Sequence, residues 1–395
     1  MSGDVTYLGR VDFRNDLRVF GIKREDRFAH LYAIGKTGTG KSNLLEGMAL
    51  QDLANGNGFA LIDPLGDLAE HVASRVPPSR QNDLIYLNAG DVNQPWGYNP
   101  LRHVAPQYVA LAASGFMEVF KKMWPDAWGV RMEHILRNVL MALLEQPTAT
   151  MHDILRVLTD KDYRKQIARS VQNRPVRRFF EEEFEKFSSG YRNDASAPIQ
   201  NKVGAFLADP ALARMLTTPK QEVRVRQVMD EGKVLIANLA KGRIGEDSSS
   251  LLGGLLVTTL GLAAYTRVDV PAEKRRDFFI YIDEFQSFTT LALANMLSEL
   301  RKYRVGFAVA HQFLHQLTPE IRHSVLGNVG TFISFRVGPE DAPYLVREFQ
   351  EEFDSIDFVQ LPNYSIYIKI MIDGMPSWPF SARTLPSSSV AQFAN

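Results

Sequence analysis

The sequence predicts an α/β fold: a mainly parallel sheet covered by helices, carrying an inserted all-α domain. Short apolar runs alternate with helically spaced segments at both ends of the chain, the pattern of parallel strands buried on two faces. Between Pro100 and Pro219 almost no strand pattern survives, and helical periodicity takes over. A glycine-rich stretch at residues 35–42 sits where a strand hands over to a helix.

Taken in order, VDFRNDLRVFGIK (11–23) reads as an edge strand or hairpin. HLYAI (30–34) is a short apolar run ending at the glycines, hence a buried strand. Leu44, Leu45, Met48 and Leu53 then share a helical face. Strands at 58–63 and 83–88 flank a helix in DLAEHVASRV. Helical stretches follow at 107–122, 131–145, 151–158, 161–171, 176–187 and 198–208, with turn signals such as QPTAT and SSGYRNDASAP between them. After Pro219 the alternation returns, with strands at 233–239, 278–283, 306–311, 331–337 and 365–372. Helices fall between them at 247–267, 290–303, 318–326 and 340–349. The expected domains are a core in two parts, 1–99 and 220–383, an insert at 100–219 and a flexible tail at 384–395.

Composition narrows the function classes. The 395 residues suffice for two or three domains, and 45% apolar with 23% charged residues is ordinary globular composition. The absence of cysteine excludes disulfides, thiolate nucleophiles and cysteine metal sites, and favours an intracellular setting. Lys plus Arg equals Asp plus Glu at 45 each, which argues against general polybasic coating of nucleic acid. The longest apolar stretch, 251–265, is glycine-broken and falls short of the roughly 18 residues of a membrane helix, so it reads as a buried helix. The N-terminus shows no basic-then-apolar signal peptide. The eight histidines show no metal-ligand clustering.

Gly35-Lys36-Thr37-Gly38-Thr39-Gly40-Lys41-Ser42 fits G-x-x-x-x-G-K-[ST] at every fixed position, with Asn43 following. Glycines let successive backbone N–H groups turn inward on an anion, and the helix N-terminus adds its positive dipole end. Lys41 is placed to reach the β- and γ-phosphates and the Ser42 hydroxyl to ligate Mg²⁺. FFIYIDEF supplies a second site: Asp283 at a strand end can hold a Mg²⁺-bound water, and Glu284 beside it can polarise an attacking water. The pair points to hydrolysis rather than transfer to a small acceptor. Gln312 ends another strand and could sense the γ-phosphate. Asp63, in LIDPLGD, ends the strand after the glycine-loop helix, on the ligand side of such a sheet. The plain alternatives are a polar residue where a strand surfaces for Gln312, and a turn-forming Asp before Pro64 for Asp63.

These segments, with LIANLAKGRIGEDSSSLLGGLLV, LSELRKYRVGFAVAHQFLHQL and GNVGTFISFRVGPEDA, resemble in order the TraG/TraD type of conjugative coupling ATPase. That type belongs to the wider HerA–FtsK class of P-loop motors. The resemblance covers residues 18–383. It implies a RecA-like P-loop NTPase core that uses ATP and Mg²⁺, assembles as a homo-hexameric ring and translocates DNA. It implies that the helical insert is the all-alpha domain of coupling proteins. It also implies that Lys41, Asp283, Glu284 and Gln312 are the Walker and sensor residues, and that Asp63 matches a catalytic acid of HerA-like members. Coupling proteins usually carry N-terminal membrane helices and HerA proteins an N-terminal β-barrel. This sequence displays neither, so a cytoplasmic motor is expected, membrane-associated only through a partner.

Ring ATPases commonly place an arginine of one subunit at the γ-phosphate of the next. Arg301 and Arg304 rank first, because RKY in this position resembles the family; Arg243 and Arg336 follow. Lys241 and Arg243, in a polar loop after a strand, are the candidates for a pore-lining grip on DNA phosphates. A basic run from Lys161 to Arg178 precedes acidic EEEFE (181–185), and reads as a solvated face pairing with its neighbour or as a contact for DNA or an acidic partner. Candidate partners are a membrane-anchored secretion component, a relaxase or a nuclease. Two other readings stay open: a HerA-like motor partnering a nuclease in DNA processing or anti-phage defence, and an assembly or protein-export ATPase that does not move DNA.

Overall fold

The computed structural model describes residues 4–12 and 17–388. Its strands are β1 (Val5–Val11), β2 (Val19–Lys23), β3 (Leu31–Ile34), β4 (Gly58–Asp63), β5 (Leu84–Asn88), β6 (Trp96–Gly97) and β7 (Gln221–Glu222). They continue as β8 (Val234–Asn238), β9 (Phe278–Ile282), β10 (Val305–His311), β11 (Thr331–Ser334), β12 (Ser365–Lys369), β13 (Met371–Ile372), β14 (Met375–Pro376) and β15 (Phe380–Thr384). One 11-stranded sheet runs β2-β1-β15-β12-β11-β3-β10-β9-β4-β8-β5, with β6–β7 and β13–β14 as separate pairs.

The middle of the large sheet is parallel from β11 through β3, β10, β9 and β4 to β8. Every residue of β3, β4, β8, β9, β10 and β11 is buried, as expected where both faces are covered. The other end is antiparallel: β12 pairs with β11 and β15, and β1 with β15 and β2. Helices α1 (Lys41–Ala54) and α2 (Asp67–Ser74) pack Leu45, Met48, Leu68 and Val72 onto one face of the sheet, against Phe59, Leu61, Tyr281 and Ile333. A mainly parallel α/β sheet is what the sequence predicts.

The chain divides into two compact units. The first takes the chain up to Tyr86, Val225–Leu239 and the chain from Ala263 on; the second takes Leu87–Arg224 and Ala240–Leu262. Between β6 and β7 the second unit is helical, from Pro106–Met123 to Pro210–Thr217.

Several elements differ from expectation for identifiable reasons. SSGYRNDASAP reads as a turn, yet Ser189–Leu207 is one helix with Pro198 inside it. The Ser188 hydroxyl accepts the Tyr191 N–H as a cap, and burial of Ala195, Ile199, Val203 and Phe206 outweighs poor helix formers. The expected helix at 176–187 is broken into α, π and 3₁₀ pieces around the buried Phe179, Phe180 and Phe184. The expected strand at 365–372 stops at Lys369, because the Ile370 carbonyl accepts from Ser377 and turns the chain into the β13–β14 hairpin. β15 has no sequence expectation. It begins four residues beyond Pro376 and fills the gap between β1 and β12. The expected loose tail differs at its start: Thr384 ends β15, and Asn43 holds the Leu385 carbonyl; residues 389–395 lie outside those described. Part of the first hairpin expectation, 13–16, lies outside them too.

The apolar helix at 251–265 is longer than its uninterrupted stretch suggests. The helical span Glu246–Asp269 has a most apolar window of mean hydropathy 1.4, long and apolar enough to cross a membrane by composition, but 78% of that window is buried inside the protein.

Candidate active site

β3 ends at Ile34 and α1 starts at Lys41, so the glycine-rich loop spans the C-terminal end of a central strand and a helix N-terminus. Gly38 (φ 76°) and Gly40 (φ 121°) occupy the left-handed region, which glycine adopts at least cost. The loop is tied down at both margins. Lys36 N–H donates to the Arg336 carbonyl at 2.8 Å, and the Thr39 hydroxyl donates to the Lys36 carbonyl at 2.7 Å. Among the described residues nothing accepts the backbone N–H of Thr37, Gly38 or Gly40, so the loop's donors remain available to an anion.

Lys41 is buried, and its ammonium donates to the Gly35 carbonyl at 2.5 Å and the Lys36 carbonyl at 3.1 Å. Burial lowers its pKa, opposed by the nearby charges of Asp283 and Glu284. Those carboxylates come from the end of β9, two strands away from β3. The Ser42 hydroxyl donates to Asp283 Oδ2 at 2.6 Å, closing the site across 241 residues of sequence. Asp283 Oδ1 accepts the Glu284 N–H at 3.0 Å. Burial pushes the Asp283 carboxyl up to about 6; the Ser42 hydrogen bond and Lys41 oppose that, while Asp63 and Glu284 add to it.

Glu284 sits at φ 49°, an uncommon conformation for a residue with a Cβ. Both of its oxygens are held by side-chain amides: Gln312 Nε2 donates to Oε1 at 2.7 Å and Gln286 Nε2 to Oε2 at 2.6 Å. Gln312 follows β10, the strand between β3 and β9, which is why it can bridge the two halves. Asp63, at the end of β4, is also buried here. Its Oδ1 accepts from Leu65 N–H and its Oδ2 from Ala69 N–H, each at 2.9 Å. It therefore organises the turn into α2. Burial raises its pKa, while the Ala69, Gly66 and Leu65 N–H groups hold it down.

The remaining candidates fall elsewhere. The Asn43 carboxamide is engaged by the Leu385 carbonyl at 3.0 Å and the Ser387 N–H at 3.3 Å, so its side chain anchors the C-terminal segment. Arg301 and Arg304 precede β10 and so lie at the opposite end of the strands from the glycine loop. Arg304 bonds Asp277 at 2.6 Å and Glu25 at 2.7 Å, with its guanidinium 4.4 Å above the Phe28 ring. Arg301 is exposed, and among the described residues its guanidinium has neither a hydrogen bond nor an ion pair. Arg336 bonds the Leu361 carbonyl and Asn363, beside its own glycine loop.

In the second unit, Lys241 pairs with Glu246 at 2.8 Å and Arg243 stays exposed in the short helix Lys241–Ile244. In the basic run, Glu185 takes Arg164 at 2.9 Å and Lys161 at 3.7 Å, and Glu182 takes Arg178 at 3.0 Å. Sequence reasoning missed Gln286, whose signal is its place two residues after Glu284.

A divalent cation suits this donor set. Ser42 and Asp283 offer hard oxygens side by side, and a buried carboxyl with a raised pKa gains from a neighbouring cation. Among the described residues no group of three or more His, Cys, Asp or Glu could hold a metal alone, which fits a cation that takes its other ligands from phosphates and water.

A family model described as the type IV secretion-system coupling protein DNA-binding domain matches residues 19–349. No curated protein matches the sequence significantly. Among solved structures, VirB4 of Thermoanaerobacter pseudethanolicus superposes with a TM-score of 0.68 at 13% identity, covering 99% of each chain. The bacterial conjugative coupling protein TrwB, in its unbound TrwBdeltaN70 form, gives 0.64 at 16% identity, covering 95% of this chain and 88% of that one. TrwB in complex with ADP and Mg²⁺ gives 0.64 at 17% identity, covering 93% and 87%. At these identities the structural matches establish the fold. Neither alternative, the nuclease-partnered motor or the export ATPase, is favoured by the family match.

Proposed function

This chain belongs to the family of type IV secretion-system coupling protein DNA-binding domains, and from that premise we propose that it hydrolyses ATP and couples the cycle to DNA translocation. The observation that carries the chemistry is the 2.6 Å bond from Ser42 to Asp283, which joins the phosphate loop to the acidic strand end.

The loop N–H groups and the start of α1 bind the triphosphate, and Lys41 transfers its ammonium from the Gly35 and Lys36 carbonyls to the β- and γ-phosphate oxygens. Ser42 and Asp283 would hold Mg²⁺, which when bound neutralises charge on those oxygens. Glu284 accepts a proton from the attacking water as the γ-phosphoryl group leaves ADP, giving ADP and phosphate. Gln286 and Gln312 fix its carboxylate before substrate arrives, and Gln312 passes the presence of the γ-phosphate to β10. Asp63 acts as a positioning residue for α2 rather than as a second base.

By sheet geometry Arg301 lies about 20 Å from its own phosphate loop, so it serves a neighbouring subunit of a homo-hexameric ring. Lys241 and Arg243 contribute phosphate contacts to DNA. Association with the membrane runs through a secretion partner.

The test is ATP turnover with and without DNA. Lys41→Ala is expected to lose nucleotide affinity and turnover together. Glu284→Gln is expected to bind ATP normally and lose about 10²–10⁴-fold in turnover. Full turnover in the Glu284→Gln protein would remove Glu284 from its role. An ATPase rate indifferent to DNA at low salt would remove translocation.

A further inference from the structure

The phosphate loop has a second wall, on the flank away from the acids. The sheet order places β11 and β12 on one side of β3, and β10 and β9 on the other. Asp283 and Glu284 end β9, so they mark the γ-phosphate side, and a nucleoside attached to the triphosphate must leave over the β11 flank.

Tyr364 stands on that flank. It immediately precedes β12, its N–H donates to the Thr39 carbonyl at 2.8 Å, and its carbonyl accepts the Thr384 N–H at 2.9 Å. Its ring edge lies against Gly40: a Cβ there would sit 2.9 Å from Tyr364 Cδ1, a second reason besides φ why residue 40 must be glycine. Yet 44% of the residue is exposed. Its φ of 66° is a conformation that glycine or asparagine adopts with far less strain, so a tyrosine there is a costly choice for a mere turn. The segment is braced from behind, since the Arg336 guanidinium holds the Leu361 carbonyl at 3.2 Å and Asn363 Oδ1 at 2.8 Å. A rigid, half-exposed aromatic ring fixed to the rim of a phosphate loop is a stacking surface.

We propose that Tyr364 is the platform on which the base of the bound nucleotide stacks, with Arg336 as the residue that positions it. The subsite recognises an aromatic base and rests on the nucleotide reading above.

Calorimetric titration of the full chain with Mg²⁺ and either ATP or inorganic tripolyphosphate tests it. Tyr364→Gly removes the ring while accepting the same φ without strain, so the segment keeps its path. ATP affinity is expected to fall roughly tenfold in that variant, the size of one base stack, while tripolyphosphate affinity holds. Tyr364→Trp is expected to keep both. Unchanged ATP affinity in Tyr364→Gly, or an equal loss for tripolyphosphate, would overturn the subsite. Failure of the unaltered chain to bind either ligand would overturn the nucleotide reading itself.

Discussion

Asp283 is held in a state that suits the bound protein better than the empty one. Its carboxyl titrates near 6 in the fold, against about 3.9 in an unfolded chain. The folded state therefore binds the extra proton between roughly pH 4 and 6, and stability falls as pH rises through that window. Above it, the ionised group costs on the order of 2–3 kcal/mol in the absence of a cation. Asp283→Asn removes that cost. The variant is expected to unfold at higher denaturant than the unaltered chain at pH 7, with the difference closing towards pH 4. It should at the same time lose the thermal shift that Mg²⁺ with ATP gives the unaltered protein. A variant less stable at pH 7, with the shift intact, would contradict both halves. In the unaltered chain, Mg²⁺-dependent nucleotide affinity should weaken as pH drops below about 6, because the proton and the cation compete for one carboxylate.

Elements were legible where one local signal decided them. β3, β4, β9 and β10 are short, wholly buried apolar runs, and the loop at 35–42 announces itself through fixed glycines. The site residues at strand ends followed, because parallel strands put their C-terminal ends on one edge. β15 was not legible: the alternation of Phe380 and Ala382 with Ser381 and Arg383 is only five residues long and weakly apolar, and it is a strand because β1 and β12 pair with it on either side. The first half of helix Ser189–Leu207 was hidden for a related reason, since its stability comes from packing rather than from propensity, whereas its second half lay within the helix expected at 198–208.

A buried ion pair that joins elements distant in sequence was equally invisible. Arg27 makes two 2.8 Å bonds to Asp52 in α1, and bonds to Tyr281 in β9 and Thr6 in β1, with its guanidinium 3.4 Å above the Phe279 ring. Removing one partner strands a charge with almost no exposure. Asp52→Ala is expected to cost about 3–5 kcal/mol, read from the denaturant midpoint. Asp52→Asn, which keeps an acceptor for Arg27, should cost less. Equal stability of the alanine variant and the unaltered chain would show that the pair does not hold α1 to the sheet.

At the scale of the whole molecule, the two arginines that precede β10 differ in what they are free to do. Arg304 is consumed inside its own chain by Asp277, Glu25 and the Phe28 ring, so Arg304→Ala should act first on stability. Arg301 is exposed, without an ion pair among the described residues, and too far along the strands to reach its own loop. If it completes a neighbour's site, then Lys41→Ala and Arg301→Ala break different halves of the same interface. Each variant alone is expected to be inactive as a ring. Mixed, they form some interfaces in which an intact Lys41 site faces an intact Arg301, and ATP turnover should reappear. It should be greatest near equal proportions, and absent when the Lys41→Ala protein also carries Arg301→Ala. No recovery at any mixing ratio, with assembly of mixed rings verified by size, would place the stabilising arginine elsewhere in the chain.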